Sequence, residues 1–480
     1  MLETADVFDA FGSAAARRAT PMLKRHLLLA LLGLGCLFAS GCARKIELPD
    51  LDDFNVLIVS IDTLGAEHTG FLNPGTSETP NLARLASESV YFPRAFSPAP
   101  WTQPAVASLF TGLMPHAHGV TSPASQLAPE SDTIAEYFRK RGYQTGGIIS
   151  NFLIDGRHGY SQGFDEYDES PVATVRALSS RQVSDRAIEW IRKSSGKFFL
   201  FLHYFDPHYV FLHHPGFDQT SSYAGPLSPG MDIWKLRDMR SSLSGNDLDY
   251  LVGLYREEIA FTDHHIGRVL DELRSLGLYD ETIVLVVADH GEEFMRHGWL
   301  GHTRTLYQEL LHVPMILRIG DASPPRRLEM PVSIIDVVPT LKALAGEPVE
   351  EGHARGISLL PYILGDAEPD PGREIFGEVS YELDAPPHDV KTSFKTSLLS
   401  DGKKLIHDLS TDSWELYDLV TDGEELNDLA GRGHGPEAPL KQRLSEWEAA
   451  RRRFPQGPSP GSLEPSPERI ERLRSLGYIR

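Results

Sequence analysis

Thr102 lies where a hydroxyl group could act as a nucleophile. An extended entry with prolines at Pro98 and Pro100 leads to it, and Pro104 suits the first turn of a helix because its φ is fixed and it has no N–H. Thr102 is therefore predicted to lie at a helix N-terminus, where free N–H groups and the helix dipole favour an anion or an ionised oxygen. A plain helix cap, a common role of threonine, is the alternative interpretation.

Acidic residues and histidines follow three apolar segments of the chain directly. They are Asp62, Asp206 with His208, and Asp289 with His290. A single residue of this kind is usually a cap, but the carboxyl ends of parallel strands meet at one edge of a sheet. Nitrogen and oxygen donors gathered at one edge are what a divalent cation needs. Together with Thr102, they predict a metal site.

Four apolar segments are predicted to be the buried strands that position these residues. They are Asn55–Ile61, Thr145–Ser150, Phe198–Tyr204 and Thr282–Ala288. The predicted helices between them are Thr79–Ala86, Thr133–Gly142, Val183–Ser194 and Leu251–Leu276. This alternation predicts an α/β fold, a mostly parallel sheet flanked by helices. We expect the segments 313–318 and 333–340 to continue it, and residues 163–168 and 215–242 to form loops.

The pattern changes near residue 373, where short alternating segments are separated by Gly and Asp turns. The segments are 374–379, 392–400, 403–408 and 414–419. They predict a small antiparallel sheet, followed by a short helix at 466–477. The expected organisation is thus a linker at 43–53, a catalytic α/β domain at 54–372, and a C-terminal α+β subdomain with a closing helix at 373–480.

Residues 1–42 are predicted to be an N-terminal extension that contains an export signal. Two basic residues precede the apolar run 27–38, which is too short to span a membrane, and small residues then lead to Cys42. This order resembles a bacterial lipoprotein signal in which Cys42 is lipidated after cleavage, and an uncleaved anchor is the alternative. Translation starts at Met1 or Met22. We therefore expect an exported, membrane-anchored lipoprotein that faces the periplasm.

The chain of 480 residues is strongly acidic, with a formal net charge of −21. This charge argues against nucleic acid as a partner and leaves an anionic substrate in need of local positive charge from a metal or from histidine. The two cysteines of the chain, Cys36 and Cys42, both lie in the N-terminal segment. The body therefore has no disulfide, no thiolate metal site and no cysteine nucleophile.

Spaced motifs resemble the sulfatase-like group of the alkaline phosphatase superfamily over nearly all of the body. They are NVLIVSIDTLGAEHTG at 55–70, TPNLARL at 79–85, TQPAVASLFTG at 102–112, GFD at 163–165, HYFDPH at 203–208, ADHGE at 288–292 and LRSLGYI at 473–479. Shorter matches lie at 297–298, 301–302, 306–307, 313–314 and 336–340. The resemblance implies an α/β core with a small C-terminal α+β subdomain.

The residue at position 102 departs from the sulfatases of that family. They carry Cys or Ser there, followed by x-Pro-Ser-Arg, and oxidise it to formylglycine. Thr102 cannot give this aldehyde, and the Ser and Arg are replaced by Ala105 and Val106, so no formylglycine is expected. A threonine resembles instead the nucleotide pyrophosphatase/phosphodiesterases, phosphoethanolamine transferases and lipoteichoic acid synthases, in which a cation activates the hydroxyl to attack phosphorus.

The resemblance also implies roles for individual residues. The ligands of one divalent cation would be Asp62, Thr102, Asp289 and His290. Thr63 replaces the second Asp of the family's pair, which favours zinc or manganese over calcium or magnesium. The catalytic residues would be Thr102 as the nucleophile and His208 or His302 beside the leaving oxygen. A second cation or a substrate contact is a further role for Asp206, His208, His302 and Arg304.

Three functions follow from these residues. The first is an exported metal-dependent hydrolase or transferase that cleaves a phosphate mono- or diester through Thr102. The second is a sulfatase that works without formylglycine. The third is a catalytically inactive glycan- or lipid-binding lipoprotein, suggested by Thr63 and Val106. The expected partners are an anionic phosphate or sulfate ester, linked to a glycan or lipid, and a membrane held through the lipid anchor.

Overall fold

The structure is a computed structural model that describes residues 54–478, except for 77, 173–178, 221, 323, 349–351, 353, 382–392, 434–436, 454–460 and 465. The predicted extension, export signal and linker at 1–53 lie outside the described residues. Those that are described belong to one compact unit. None of their helices has the length and apolar character that crossing a bilayer requires.

Strands occur along the whole described chain and form four sheets. They are β1 (Asn55–Ile61), β2 (Val90–Tyr91), β3 (Ala95–Phe96), β4 (Gln144–Ile148), β5 (Glu166–Asp168), β6 (Phe198–Tyr204), β7 (Thr282–Ala288), β8 (Glu293–Phe294), β9 (Leu300–Gly301), β10 (His312–Val313), β11 (Met315–Ile319), β12 (Arg326–Arg327), β13 (Val332–Ser333), β14 (Ile375–Tyr381), β15 (Ser393–Ser400), β16 (Lys403–Asp408) and β17 (Ser413–Asp418).

The largest sheet has eight strands in the order β12-β2-β11-β7-β1-β6-β4-β5. Strands β7, β1, β6, β4 and β5 run parallel, and every residue of β1, β6 and β7 is buried, as expected for strands covered on both faces. The predicted α/β class with a mostly parallel sheet is confirmed. Two local predictions are wrong: β11 pairs antiparallel with β7, and the expected loop at 163–168 contains the edge strand β5.

Helices separate and flank these strands. They are α1 (Pro80–Ser87), α2 (Thr102–Thr111), α3 (Pro115–His118), α4 (Ile134–Lys140), α5 (Ser179–Lys193), α6 (Ile233–Met239), α7 (Gly245–Ser275), α8 (Gln308–Leu311), α9 (Val337–Leu344), α10 (Leu360–Leu364), α11 (Glu437–Arg453) and α12 (Pro467–Ser475). Helix α7 begins six residues before its predicted start because Ser244 and Asp247 form a capping box there. The expected loop at 215–242 contains α6, which Asp232 caps.

The C-terminal antiparallel sheet has the order β14-β15-β16-β17, which confirms the predicted α+β subdomain. Helix α11 was not predicted. It buries Leu440, Leu444 and Trp447 in one apolar cluster with residues of the sheet. Helix α12 follows, and the turn after it brings Tyr478 back among buried aromatic side chains.

Candidate active site

The site lies at the carboxyl ends of four neighbouring parallel strands. Asp62 follows β1, Asp289 follows β7, His203 lies near the end of β6, and Asn151 follows β4. Backbone hydrogen bonds continue the sheet past the strand ends, since the Asp62 N–H donates to the carbonyl of Tyr204 at 2.8 Å. The predicted convergence of strand-end side chains is therefore present, and it includes Asp62, Asp289 and His290.

Thr102 is the first residue of α2, and its side chain faces the strand ends. The N-cap position belongs to Trp101, and no side chain caps the helix, so the plain-cap interpretation of Thr102 is wrong. The Thr102 hydroxyl lies 3.4 and 3.5 Å from the two carboxylate oxygens of Asp62 and 3.4 Å from Nε2 of His290. It is fully buried. The helix terminus thus delivers a hydroxyl into a cluster of acid and imidazole groups.

The two carboxylates of the site lie close together out of contact with solvent. Asp289 accepts backbone hydrogen bonds at Oδ1 from Thr63 (3.2 Å) and His290 (2.8 Å), whereas its Oδ2 has no partner among the described residues. Asp62 accepts at Oδ2 from Asn151 at 2.8 Å. Burial raises the pKa of Asp62 well above its usual range, and the negative charge of Asp289 adds to the rise. A cation at this place would offset two buried negative charges and bind the orphaned oxygen of Asp289.

His203 is a site residue that sequence reasoning missed. Neither of its ring nitrogens has a hydrogen-bond partner in the described part of the chain, and Nε2 lies 3.6 Å from Oδ2 of Asp62. Ligand atoms of Asp62, His203 and Asp289 all lie within 4.8 Å of one another, so the three could hold a metal ion. The available signal was a histidine within a buried strand whose other residues are apolar or aromatic.

Burial keeps the imidazoles of the site neutral. It lowers the pKa of His203 and that of His208 to about 3, and it also lowers the pKa of His290. A neutral imidazole offers a lone pair, which is the form that binds metals. Thr63 adopts a left-handed backbone with φ of 56°, and its buried hydroxyl is unpartnered among the described residues. The donor set of carboxylates, imidazoles and hydroxyls fits a divalent cation.

His208 and His302 lie beside the cluster, as the resemblance implied. Their rings are 4.8 Å apart, and the ring of His302 lies 4.6 Å from that of His290. His208 donates from Nδ1 to the carbonyl of Tyr209, while its Nε2 has no partner in the residues described. His302 is engaged at both nitrogens, by Glu292 at 3.0 Å and by the Tyr478 hydroxyl at 3.3 Å. Of these two histidines, His208 is therefore the one with a nitrogen available to a ligand.

Asp206, which was considered as a ligand of a second cation, contacts the start of helix α5 instead. Its carboxylate accepts hydrogen bonds from the backbone and hydroxyl of Ser179 (2.7 and 2.6 Å) and from the backbone of Ser180 (2.8 Å). It thus caps the N-terminus of α5, and both oxygens are occupied. The structure does not bring Asp206 into the cluster around Asp62.

Arg304, two residues after His302, lies against an aromatic side chain. Its guanidinium stacks on Trp299 at 3.9 Å from the ring centroid, and burial lowers its pKa to about 10. A cation held this way can attract an anionic substrate.

Comparisons with known proteins agree with this architecture. The family described as "Sulfatase" matches residues 54–347, and the family described as "N-sulphoglucosamine sulphohydrolase, C-terminal" matches residues 295–449. A sulfatase of Formosa agariphila is 25% identical over 384 residues, which cover 68% of this chain and 75% of that protein. Arylsulfatase K of Gallus gallus is 24% identical over 387 residues, which cover 71% of this chain and 72% of that protein.

Solved structures show the same fold. Phosphonate monoester hydrolase of Agrobacterium radiobacter superposes with a TM-score of 0.68 at 20% identity, covering 86% of this chain and all of that one (100%). The structure of BT4656 in complex with its substrate D-glucosamine-2-N,6-O-disulfate gives a TM-score of 0.66 at 19% identity, covering 84% of this chain and 99% of that one. Because the family described as "Sulfatase" matches residues 54–347, which are more than half of this chain, the chain belongs to the sulfatase family.

Proposed function

We propose that this sulfatase-family hydrolase cleaves a phosphate mono- or diester by attack of the Thr102 hydroxyl. One observation carries the proposal: the hydroxyl, at the start of α2, is directed at Asp62 and His290 instead of capping its helix. A hydroxyl in this position meets an ester that binds at the helix N-terminus, where the helix dipole attracts anionic oxygens. The attack forms an O–P bond at Thr102 and breaks the bond to the leaving oxygen.

Residues around Thr102 supply what the attack requires. Asp62 lies close enough to take up the hydroxyl proton, and Asn151 donates to Oδ2 of Asp62 at 2.8 Å and so fixes the orientation of the carboxylate. A divalent cation held by Asp62, His203, Asp289 and His290 would supply positive charge that lowers the pKa of a nearby hydroxyl and balances the anionic ester.

His208 is the residue that we assign to the leaving group. Its ring lies 4.8 Å from that of His302, and its Nε2 has no partner among the described residues, whereas both nitrogens of His302 are occupied. Burial lowers its pKa to about 3 when no anion is bound. A bound phosphate ester adds negative charge beside the ring, which favours the protonated form and makes a proton available to the leaving oxygen.

Sulfate-ester hydrolysis is the second candidate, and the names of the relatives favour it. The proteins of Formosa agariphila and Gallus gallus are both named as sulfatases. Two facts favour phosphate for this chain. Thr102 cannot become formylglycine, and a phosphate monoester carries one more negative charge than a sulfate monoester, so it gains more from a cation site.

A matched pair of variants tests the proposal. Thr102→Val keeps the shape of the side chain without its hydroxyl, and Thr102→Ser keeps a hydroxyl. Each protein, loaded in turn with zinc or manganese, is assayed on phosphate monoesters, phosphate diesters and aryl sulfates. We expect phosphate-ester turnover in the wild type, its retention in Thr102→Ser and a loss of about a thousandfold or more in Thr102→Val. Equal activity of Thr102→Val and wild type would contradict the proposal, and faster turnover of aryl sulfate would favour the second candidate.

We further propose that the chain is exported and anchored through lipidated Cys42. The support is the order of basic, apolar and small residues before that cysteine. Expression of the full chain in a bacterial host should place the wild type in the membrane fraction and Cys42→Ser in the soluble fraction or in an unprocessed form. Identical fractionation and processing of the two proteins would count against a lipid anchor.

A further inference from the structure

Tyr478, which follows the last helix α12, reaches the centre of the site. Its hydroxyl lies 3.3 Å from Nε2 of His302, and its ring centroid is 6.1 Å from that of Trp101, the residue before Thr102. Only 2% of the residue is exposed. Burial raises the pKa of Tyr478 well above its usual range. The phenol is therefore protonated, and it lies beside His302 and against Trp101, the residue that precedes Thr102.

Backbone contacts hold the segment that carries Tyr478 in a defined position. The Tyr478 N–H donates to the carbonyl of Leu473 at 2.9 Å, which closes the end of α12. Arg237 of helix α6 donates to the carbonyl of Gly477 at 2.8 Å, and Tyr381 of β14 donates to the carbonyl of Tyr478 at 2.9 Å. Two separate parts of the fold thus bind the main chain on either side of the Tyr478 side chain.

Gly477 makes this turn possible. Its φ is 67°, in the left-handed region, and a Cβ at this position would lie 2.8 Å from Cγ2 of Ile233 and 3.0 Å from the Tyr209 ring. A larger residue would have to move the turn away from α6. The position of the phenol is therefore determined by the turn and by its neighbours, which is the arrangement required of a residue that must meet a substrate.

We propose that Tyr478 is a substrate-contacting residue whose hydroxyl turns from Nε2 of His302 to donate a hydrogen bond to a non-bridging oxygen of the ester group bound at Thr102. The inference rests on the proposed function, because that function places the ester between Thr102 and His208. Packing alone would explain a phenylalanine at this position. It does not explain a buried hydroxyl that lies 3.3 Å from Nε2 of His302 at the site, since a buried polar group costs stability unless it has partners.

Tyr478→Phe tests the proposal because it removes the hydroxyl and keeps the ring. The matched control is Tyr167→Phe on the edge strand β5, which also keeps the ring and loses a hydroxyl, but one that donates only to the main-chain carbonyl of Ile154 at 2.6 Å. Two quantities are measured on the metal-loaded full chain: the dissociation constant of inorganic phosphate by calorimetry, and kcat and KM on the best ester. Metal content and thermal unfolding are checked for each variant.

We expect Tyr478→Phe to weaken phosphate binding and to lower kcat/KM by about tenfold to a hundredfold, the range for a hydrogen bond to a charged group, with Tyr167→Phe within about twofold of wild type. Unchanged phosphate binding in Tyr478→Phe, or an equal loss in Tyr167→Phe, would overturn the proposal. Weaker phosphate binding in Tyr478→Phe, in a protein that turns over no ester, would support the Tyr478 contact and refute the proposed function. Ester turnover that is indifferent to Tyr478 would refute only the contact.

Discussion

Replacing Asp62 by Asn should stabilise the metal-free protein and destabilise the metal-loaded one relative to wild type. Without a cation, the wild type buries Asp62 and Asp289 with ligand atoms no more than 4.8 Å apart. Two unit charges at that distance repel by about 3–4 kcal/mol at an effective dielectric constant of about 20. In the wild type, either both carboxylates stay ionised and repel each other, or one of them is protonated. Both cases cost folding free energy.

Asp62→Asn removes the charge and weakens the hydrogen bond from Asn151, which is worth about 2 kcal/mol because its acceptor is a carboxylate. We therefore expect the metal-free variant to be more stable than the metal-free wild type by about 1–2 kcal/mol near pH 7. Metal at about a hundred times its dissociation constant should stabilise the wild type by about 2.7 kcal/mol, and the variant should gain much less because it lacks one anionic ligand. The order of stability of the two proteins then reverses on adding metal.

Urea unfolding of both proteins, with chelator and with zinc or manganese, measures this reversal. Asp206→Asn is the matched control: it also changes a buried aspartate, but one that caps α5. It should lose stability under both conditions and keep the full metal gain. The reasoning is refuted if metal-free Asp62→Asn is less stable than metal-free wild type and both proteins gain equally from metal.

Three further predictions concern other residues. His208→Gln should lower turnover of an alkyl phosphate by about a hundredfold or more, and turnover of p-nitrophenyl phosphate far less, because nitrophenolate leaves without a proton. Equal losses on both substrates would show that His208 does not protonate the leaving oxygen. Asn151→Ala should weaken metal binding by about tenfold in a competition titration with a chelating dye, since Asn151 orients Asp62; unchanged affinity would contradict this. Burial lowers the pKa of His118 to about 3, and its ring accepts a hydrogen bond from the Val120 N–H and contacts Ser108. His118 therefore stays unprotonated in the folded state, whereas in the unfolded state it binds a proton below about pH 6.5. Acidification from about pH 7.5 to about pH 5.5 should therefore cost the wild type about 1.4 kcal/mol more folding free energy than His118→Gln in urea unfolding, and parallel losses would refute this origin.

Local sequence was sufficient for the strands that carry the site. Strands β1, β6 and β7 begin and end at the predicted residues, because strands buried on both faces are nearly continuous apolar runs. The position of Thr102 at the start of α2 followed from the prolines around it. These features depend on neighbours in sequence, which is why they could be predicted.

Pairing and capping by distant residues could not be predicted in the same way. The direction of β11 depends on its partner β7, and the use of Asp206 depends on where α5 begins. Asn151 reaches Thr102 and Tyr478 reaches His302 only through the fold, from the end of β4 and from the turn after α12. Helix α11 did offer a signal, since Leu440, Leu444 and Trp447 follow helical spacing.

The most direct test of the central claim is to look for the transferred group on Thr102. Metal-loaded protein is mixed with a phosphate ester in a single turnover, quenched in acid at increasing times, and digested for peptide mass spectrometry. The account predicts that the peptide containing Thr102 gains the mass of one phosphoryl group before free phosphate appears and loses it at the rate of turnover, while Thr102→Val shows no modification. Complete product formation with an unmodified Thr102 peptide at every quench time would contradict it.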